Sequence, residues 1–190
     1  VKMITGDHQA TARAIGMELN LSANGNVVTG VALSKMDDAE LDKTIQTTNI
    51  FARVAPEHKL RLVKALQNNH EVVAMTGDGV NDVPALSNAH VGISMGSGSQ
   101  IAKDAGDIIL LDDNFKTIID AMREGRTIIS NVRRMLYYLL ATNAGEVMTM
   151  LGALILGIPV PLVAVQILWV NLVTDTTMVI PLGLEKGQKR

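Results

Sequence analysis

Residues 75–82, Met-Thr-Gly-Asp-Gly-Val-Asn-Asp, crowd two carboxylates and an amide around two glycines, directly after an apolar run. Asp78 and Asp82 suit Mg2+, which binds through one or two carboxylates and completes its shell with phosphate oxygens and water. Gly77 and Gly79 let the backbone approach a ligand closely. Lys59, in Pro56-Glu57-His58-Lys59, supplies the kind of positive charge that stabilises a phosphoryl group in transfer. Thr5-Gly6-Asp7 follows another apolar run and offers a hydroxyl and backbone N–H groups to phosphate oxygens. One Gly-Asp turn is commonly an ordinary loop. Two such turns and a Lys-bearing helix together point to phosphate chemistry. Gly96-Ser97-Gly98-Ser99 reads as the start of a helix capped by Ser99. His8, His58, His70 and His90 show no metal-ligand spacing and read as surface or packing residues.

A second set of polar residues lies in apolar surroundings. Asn143 and Glu146 are three apart; Asn171, Thr174 and Asp175 follow at offsets of three and four. Each spacing puts its side chains on one helix face. Carboxylates, amides and a hydroxyl are oxygen donors, and a hard cation such as Ca2+ takes about six to eight of them. These residues cannot fill that shell unaided. Interhelical hydrogen bonding between polar side chains is the competing reading. Gln166 falls off this face and reads as packing or solvation.

These groups need positioning elements. The chain has 190 residues, 17 Lys+Arg, 19 Asp+Glu, net charge -2 and no Cys. That balance provides no basic field for nucleic acid. Absent Cys removes disulfides, thiolate metal sites and Cys nucleophiles. The charges are uneven, because residues 135–184 hold only Glu146 and Asp175. A bilayer span takes about 20 apolar residues, so this stretch suits two spans and a tight turn. Span one is expected over 135–157, a turn at Ile158-Pro159-Val160-Pro161, and span two over 162–183. Arg123, Arg126, Arg133 and Arg134 precede the first; Lys186, Lys189 and Arg190 follow the second. The positive-inside bias then puts residues 1–134 and the tail, 185–190, in the cytoplasm. The sequence opens on Val1 within a strand-like run and reads as a fragment of a longer protein.

Residues 1–114 alternate short apolar runs with amphipathic stretches. Strands are expected at 1–4, 24–29 with its turn, 50–54, 72–75, 91–93 and 108–111. Helices are expected at 9–19, with Ala12, Ile15 and Leu19 facing inward, at 37–44 and at 56–68. Pro56 suits the first turn of the last. Continuous apolar runs fit strands buried on both faces of a parallel sheet, and strand–helix alternation gives a doubly wound α/β domain with ligands at strand carboxyl ends. Residues 115–134 form an amphipathic stalk helix that can run on into the first span.

Ile4-Thr5-Gly6-Asp7, the run from Phe51 to Lys59 and the run from Met75 to Asp82 resemble the phosphorylation domain of P-type cation-transporting ATPases. Asp112-Asp113-Asn114-Phe115 and Glu124-Gly125-Arg126 are similar to the family's passage into its stalk. Asn143-Ala144-Gly145-Glu146 and the run from Trp169 to Asp175 are similar to its fifth and sixth transmembrane helices. Asn171 with Asp175 looks most like the calcium-transporting branch. The resemblance implies a haloacid-dehalogenase-like parallel sheet with helices on both faces, followed by an α-helical transmembrane hairpin. It implies ATP and Mg2+ as cofactors, membrane lipid and the remaining pump domains as partners, and a transported cation, Ca2+ first. By the same resemblance Asp78 would ligate Mg2+, Asp82 would order that site, Lys59 and Thr5, with Gly6 beside it, would contact the phosphoryl group, Asn81 would hydrogen-bond it, and Asp7 would order the nucleotide side. Asn143, Glu146, Asn171, Thr174 and Asp175 would hold the transported ion, and residues 115–134 would transmit phosphorylation to it.

The sequence departs from the family pattern. Asp-Lys-Thr-Gly, which contains the phosphorylated Asp, is absent, so the nucleophile is expected upstream of Val1. Met178 stands where calcium pumps usually have Pro, with Pro181 later, so helix unwinding is expected to shift. Val83 replaces a usual Ala. An inactive membrane-anchored fragment of the same fold, or a pump for Mn2+, Na+ or K+, is the alternative.

Overall fold

The structure is a computed structural model and describes residues 1–185. Lys186, Lys189 and Arg190 lie outside the described residues. The chain divides into two compact units, Val1–Asn114 and a second from Phe115 onward.

The first unit holds two parallel three-stranded sheets rather than one continuous sheet. In the first, β1 (Met3–Ile4) and β2 (Val28–Thr29) flank β3 (Ile50–Ala52). In the second, β4 (Ala74–Gly77) and β6 (Ile108–Leu110) flank β5 (Val91–Met95). Alternation along β3 sends successive residues to opposite faces. Ile50 and Ala52 meet Ala12 of α1 (Gln9–Glu18). Phe51 points the other way, into a core with Leu33 of α2 (Gly30–Lys35), Leu41 and Ile45 of α3 (Asp38–Thr47) and Leu62 of α4 (Pro56–Asn68). Helices therefore cover both faces of this sheet. Helix α4 also serves the second half, where its Val63 packs with Met75, Ala85 and Leu86 of α5 (Val83–Asn88), and Ala102 of α6 (Gln100–Ala105). One helix thus carries side chains of both cores.

Strand β1 is paired through β3 and β4 through β5, which leaves one edge of each unpaired among the described residues. A cleft of about 530 Å³ opens between them, lined by Lys2 and Ile4, by Ala74 to Thr76, and by Val63 and Leu66 of α4. At its rim Lys2 Nζ donates to Thr48 O at 2.9 Å, to Asn49 Oδ1 at 3.1 Å and to Ile45 O. Burial pushes the Lys2 ammonium below its ordinary pKa.

Two local expectations change. Helix α1 buries Ala12 and Gly16, while Ile15 and Leu19 are 40% and 60% exposed. The reason is close packing: a Cβ on Gly16 would stand 2.2 Å from Ile50 Cδ1, so the strand sits against the glycine. Helix α2 was not expected; Thr29 caps it by accepting from Ala32 N–H at 3.4 Å.

The second unit is a helical hairpin. Helix α7 runs without a break from Phe115 to Ile155, so the stretches expected as stalk and first span form one continuous helix. Gly157 turns the chain with φ 67°, and α8 covers Ala164–Gly183. Both helices are long and apolar enough to cross a membrane. Helix α8 is continuous past Met178 and contains Pro181, so the expected shift of unwinding is absent. Gln166 Oε1 accepts from Val163 N–H at 3.0 Å and closes the start of α8. At the other end Asn131, 5% exposed, donates through Nδ2 to Gly183 O at 3.3 Å and Glu185 O at 2.7 Å. It satisfies carbonyls that a helix end leaves free. Arg134 pairs with Glu185 beside it at 2.5 Å.

Candidate functional site

The turn after β1 is strapped to the segment after β3. Thr5 N–H donates to Phe51 O at 2.9 Å, Val54 N–H to Thr5 O at 3.1 Å and Arg53 N–H to Asp7 O at 3.1 Å. Within the turn, Thr5 Oγ1 donates to Asp7 Oδ2 at 3.0 Å and accepts from Asp7 N–H at 3.1 Å. Thr5 and Asp7 thus satisfy each other, and an incoming anion would exchange with the Asp7 carboxylate for the hydroxyl. Nothing stands within 4 Å of where a Gly6 Cβ would be, so the tip is open.

The second turn is built around Asp82. Its side chain, 8% exposed, is ion-paired through Oδ1 with Lys59 Nζ, and its Oδ2 accepts from Gly79 N–H at 3.4 Å. A Cβ on Gly77 would stand 2.5 Å from Asp82 Cβ, so this glycine is required by the seat of that carboxylate. Asp78 and Asn81 are exposed beside it. The Asp78 backbone is held from behind: its carbonyl accepts from Ser99 N–H at 2.8 Å. A Cβ on Gly98 would lie 2.9 Å from that same oxygen. Ser99 also caps α6, as expected, accepting from Ala102 N–H at 3.2 Å. Asp113, at φ 51°, accepts from Ser97 N–H at 3.1 Å. That backbone hydrogen bond holds the Asp113 carboxyl below its ordinary 3.8.

The structure therefore joins Lys59 to Asp82 and leaves the Asp78 carboxylate and Asn81 amide open at the same turn. The Thr5–Asp7 turn forms its own cluster. Ile4 and Thr76, which precede the two turns, both line the cleft between β1 and β4. An exposed carboxylate beside a second carboxylate fits Mg2+, which keeps waters and phosphate oxygens in its shell.

In the hairpin, Asn171 Nδ2 donates to Glu146 Oε2 at 3.3 Å, joining the two helices. Asn171 Oδ1 and Asp175 Oδ1 are buried without a hydrogen-bond partner among the described residues. Thr174 donates to Val170 O at 2.7 Å, which leaves its oxygen lone pairs free to accept. Asn143 is exposed on α7 and makes no bond to this group. The structure thus brings Glu146 and Asn171 into contact, and buries an unpartnered oxygen on Asn171 and on Asp175.

Sequence reasoning missed what the histidines do. His8 Nδ1 accepts from Ala10 N–H at 3.2 Å and caps α1; His90 Nδ1 accepts from Val73 N–H at 3.1 Å; His58 caps α4. The position of His8 just before a helical pattern carried a signal, since a side-chain acceptor is favoured there.

Over residues 1–90 and again over 59–122 the sequence matches haloacid dehalogenase-like hydrolase families, and over 159–190 it matches the C-terminus of cation transporting ATPases. It is 50% identical over 188 residues to a calcium-transporting ATPase of Bacillus subtilis, covering 98% of this chain and 21% of that protein. It is 47% identical over 187 residues to a calcium-transporting ATPase of Listeria monocytogenes, again covering 98% and 21%. A cation-transporting ATPase of Synechocystis is 46% identical over 188 residues, covering 97% of this chain and 21% of that protein. Among solved structures, a zinc-transporting PIB-type ATPase in an E2.Pi state superposes with a TM-score of 0.61 at 26% identity, covering 95% of this chain and 24% of that one. The chain spans about a fifth of the length of these curated relatives. Parallel sheets with flanking helices, a long apolar hairpin and these likenesses agree: over nearly its whole length the chain is similar to P-type cation-transporting ATPases.

Proposed function

We propose that the full-length protein is an ATP-driven pump that moves a hard cation, Ca2+ first, across a membrane through an aspartyl phosphate. The observation that carries the cation is the hairpin: a carboxylate–amide contact between two apolar helices, with two buried oxygens left unpartnered beside it. Buried polar groups are ordinarily satisfied. Oxygens held dry and aimed at no donor suit a desolvated cation, and two carboxylates favour a divalent one. The relatives named as calcium-transporting support the same choice. Glu146, Asn171, Thr174 and Asp175 would supply ligands, with Asn143 joining after movement.

For the phosphoryl group, Lys59 would neutralise charge, with Thr5, Gly6 and Asn81 as hydrogen-bond partners and Asp7 toward the nucleotide. Mg2+ would be held by Asp78, with Asp82 ordering the turn; the metal supplies charge neutralisation on phosphate oxygens. The nucleophilic Asp would come from a segment outside this sequence. The cleft supports this, because a strand laid between the free edges of β1 and β4 would touch the roots of both turns. We assign residues 1–114 to the phosphorylation domain, 115–134 to the stalk and 135–184 to two spans. The Arg-rich flank of the first span supports a cytoplasmic side for residues 1–134 and the chain's end.

The test is acid-stable phosphorylation of the full-length protein by ATP. Wild type should label in a Ca2+-dependent way; Glu146→Gln and Asp175→Asn should lose that dependence, and Asp78→Asn should lose labelling. Labelling driven by Mn2+, Na+ or K+ instead of Ca2+ would replace the cation. No labelling with any cation would leave a binding fragment without the chemistry.

A further inference from the structure

Helix α4 carries Lys59 in its first turn, yet its N-cap residue, Ala55, has no side chain to hold that turn. The bond that closes it comes from His58. Its Nδ1 accepts from Ala55 N–H at 3.2 Å, the place usually taken by Glu or Gln in a capping box. With Nδ1 accepting, the proton of the neutral ring is on Nε2. Nε2 stands 2.8 Å from Ser34 Oγ and donates to it; Ser34 in turn donates to Gly30 O at 3.1 Å. Three hydrogen bonds thus run in one direction, from the start of α4 to the first carbonyl of α2.

Gly30 makes that approach possible. A Cβ there would meet Arg53 O at 2.2 Å and His58 Nδ1 at 3.2 Å. Arg53 and Val54 are also the residues that strap down the Thr5–Asp7 turn. The segment 53–58 therefore anchors one phosphate-facing turn and launches the helix that bears Lys59.

We propose that His58 is a positioning residue: its relay through Ser34 to α2 fixes the first turn of α4 and so the placement of Lys59 at Asp82. The inference rests on the phosphoryl role given to Lys59 above. Leucine at position 58 would keep the bulk and lose both bonds. Glutamine would keep an acceptor for Ala55 N–H and a donor for Ser34.

The experiment uses the full-length protein and measures the initial rate of phosphorylation by radiolabelled ATP. His58→Leu should slow the maximal rate about ten-fold, the scale of one or two lost hydrogen bonds. The concentrations of ATP and of cation giving half-maximal labelling should stay unchanged. His58→Gln should restore most of the rate, and Ser34→Ala should slow it about three-fold. General damage to the domain would instead shift both half-saturations and would not be rescued by glutamine; that result, or a wild-type rate in His58→Leu, overturns the proposal. If His58→Leu fails to accumulate, a wild-type rate in Ser34→Ala overturns the relay. Lys59→Met separates the two readings. If it is slow while His58→Leu is fast, only the positioning role falls; if it is itself fast, the phosphoryl role of Lys59 falls as well.

Discussion

Replacing Lys59 by Met keeps the length of the side chain and removes its ammonium. The partner carboxylate, Asp82, is 8% exposed and would be left with one neutral hydrogen bond, from Gly79 N–H at 3.4 Å. Removing one member of a buried pair costs about 3–5 kcal/mol, because the remaining charge is stranded. Lys59 is itself 15% exposed, so some water reaches the pair and the lower end, about 3 kcal/mol, applies. The double variant Lys59→Met/Asp82→Asn removes the stranded charge and keeps an acceptor for Gly79. Its cost should fall to about 1 kcal/mol, since losing both partners is far milder than losing one. On the phosphoryl role proposed for Lys59 both variants lose transfer, so activity does not separate them. Thermal unfolding of the purified full-length protein does. For a domain of about 100 residues, 3 kcal/mol corresponds to a fall on the order of 10 °C in Tm for the single variant, with more than half recovered in the double. A double variant as unstable as the single one would refute the view that the charge pair, rather than packing around it, holds this turn.

Three further perturbations probe other features. Gly98→Ala drives a methyl against the Asp78 carbonyl and should cost about 1–3 kcal/mol by overpacking, with a raised Mg2+ requirement for phosphorylation. Gly125→Ala, where nothing stands within 4 Å of an added Cβ on α7, should be neutral or stabilising by up to about 1 kcal/mol, as where a helix interior has open space for a methyl; equal Tm values for the two variants would contradict this. Asp113→Asn tests the pH dependence. The Asp113 carboxyl is held below 3.8 in the fold, so its contribution is present above the unfolded value and is lost as pH falls through the folded one. The Tm gap between wild type and Asp113→Asn should therefore be widest at neutral pH and close on acidification; a gap that widens in acid would contradict the assignment.

The strands and α4 were legible because apolar runs ended at Gly-Asp turns and Pro56 opened a clear helical stripe. The hairpin was legible because two charges in a long apolar stretch leave little else to read. What stayed hidden was set by contacts between distant residues. Lys59 and Asp82 are 23 positions apart, and no local pattern announces that they pair. Helix α2 has six residues, too few for a periodic signal. In α1 the inward residue is Gly16, chosen by the close approach of Ile50, whereas hydrophobicity alone favoured Ile15. Asn143 shares a helix face with Glu146 by spacing, but only Glu146 reaches across to Asn171. Likewise, alternating strands and helices cannot reveal that six strands form two sheets.

The open edges of β1 and β4 bear on how such a protein is made and cut. A bare strand edge is a template for any other strand, so residues 1–114 produced alone should associate edge to edge and precipitate as they concentrate. Each half-sheet closes over α4 through contacts within this sequence, and those contacts can form early. The strand proposed to fill the cleft from outside this sequence would join last, because distant pairings are the slow ones. The same gap is a ready point for splitting the protein: a short peptide of strand length, added in trans, would dock by main-chain hydrogen bonds on both sides and hold the two halves in solution.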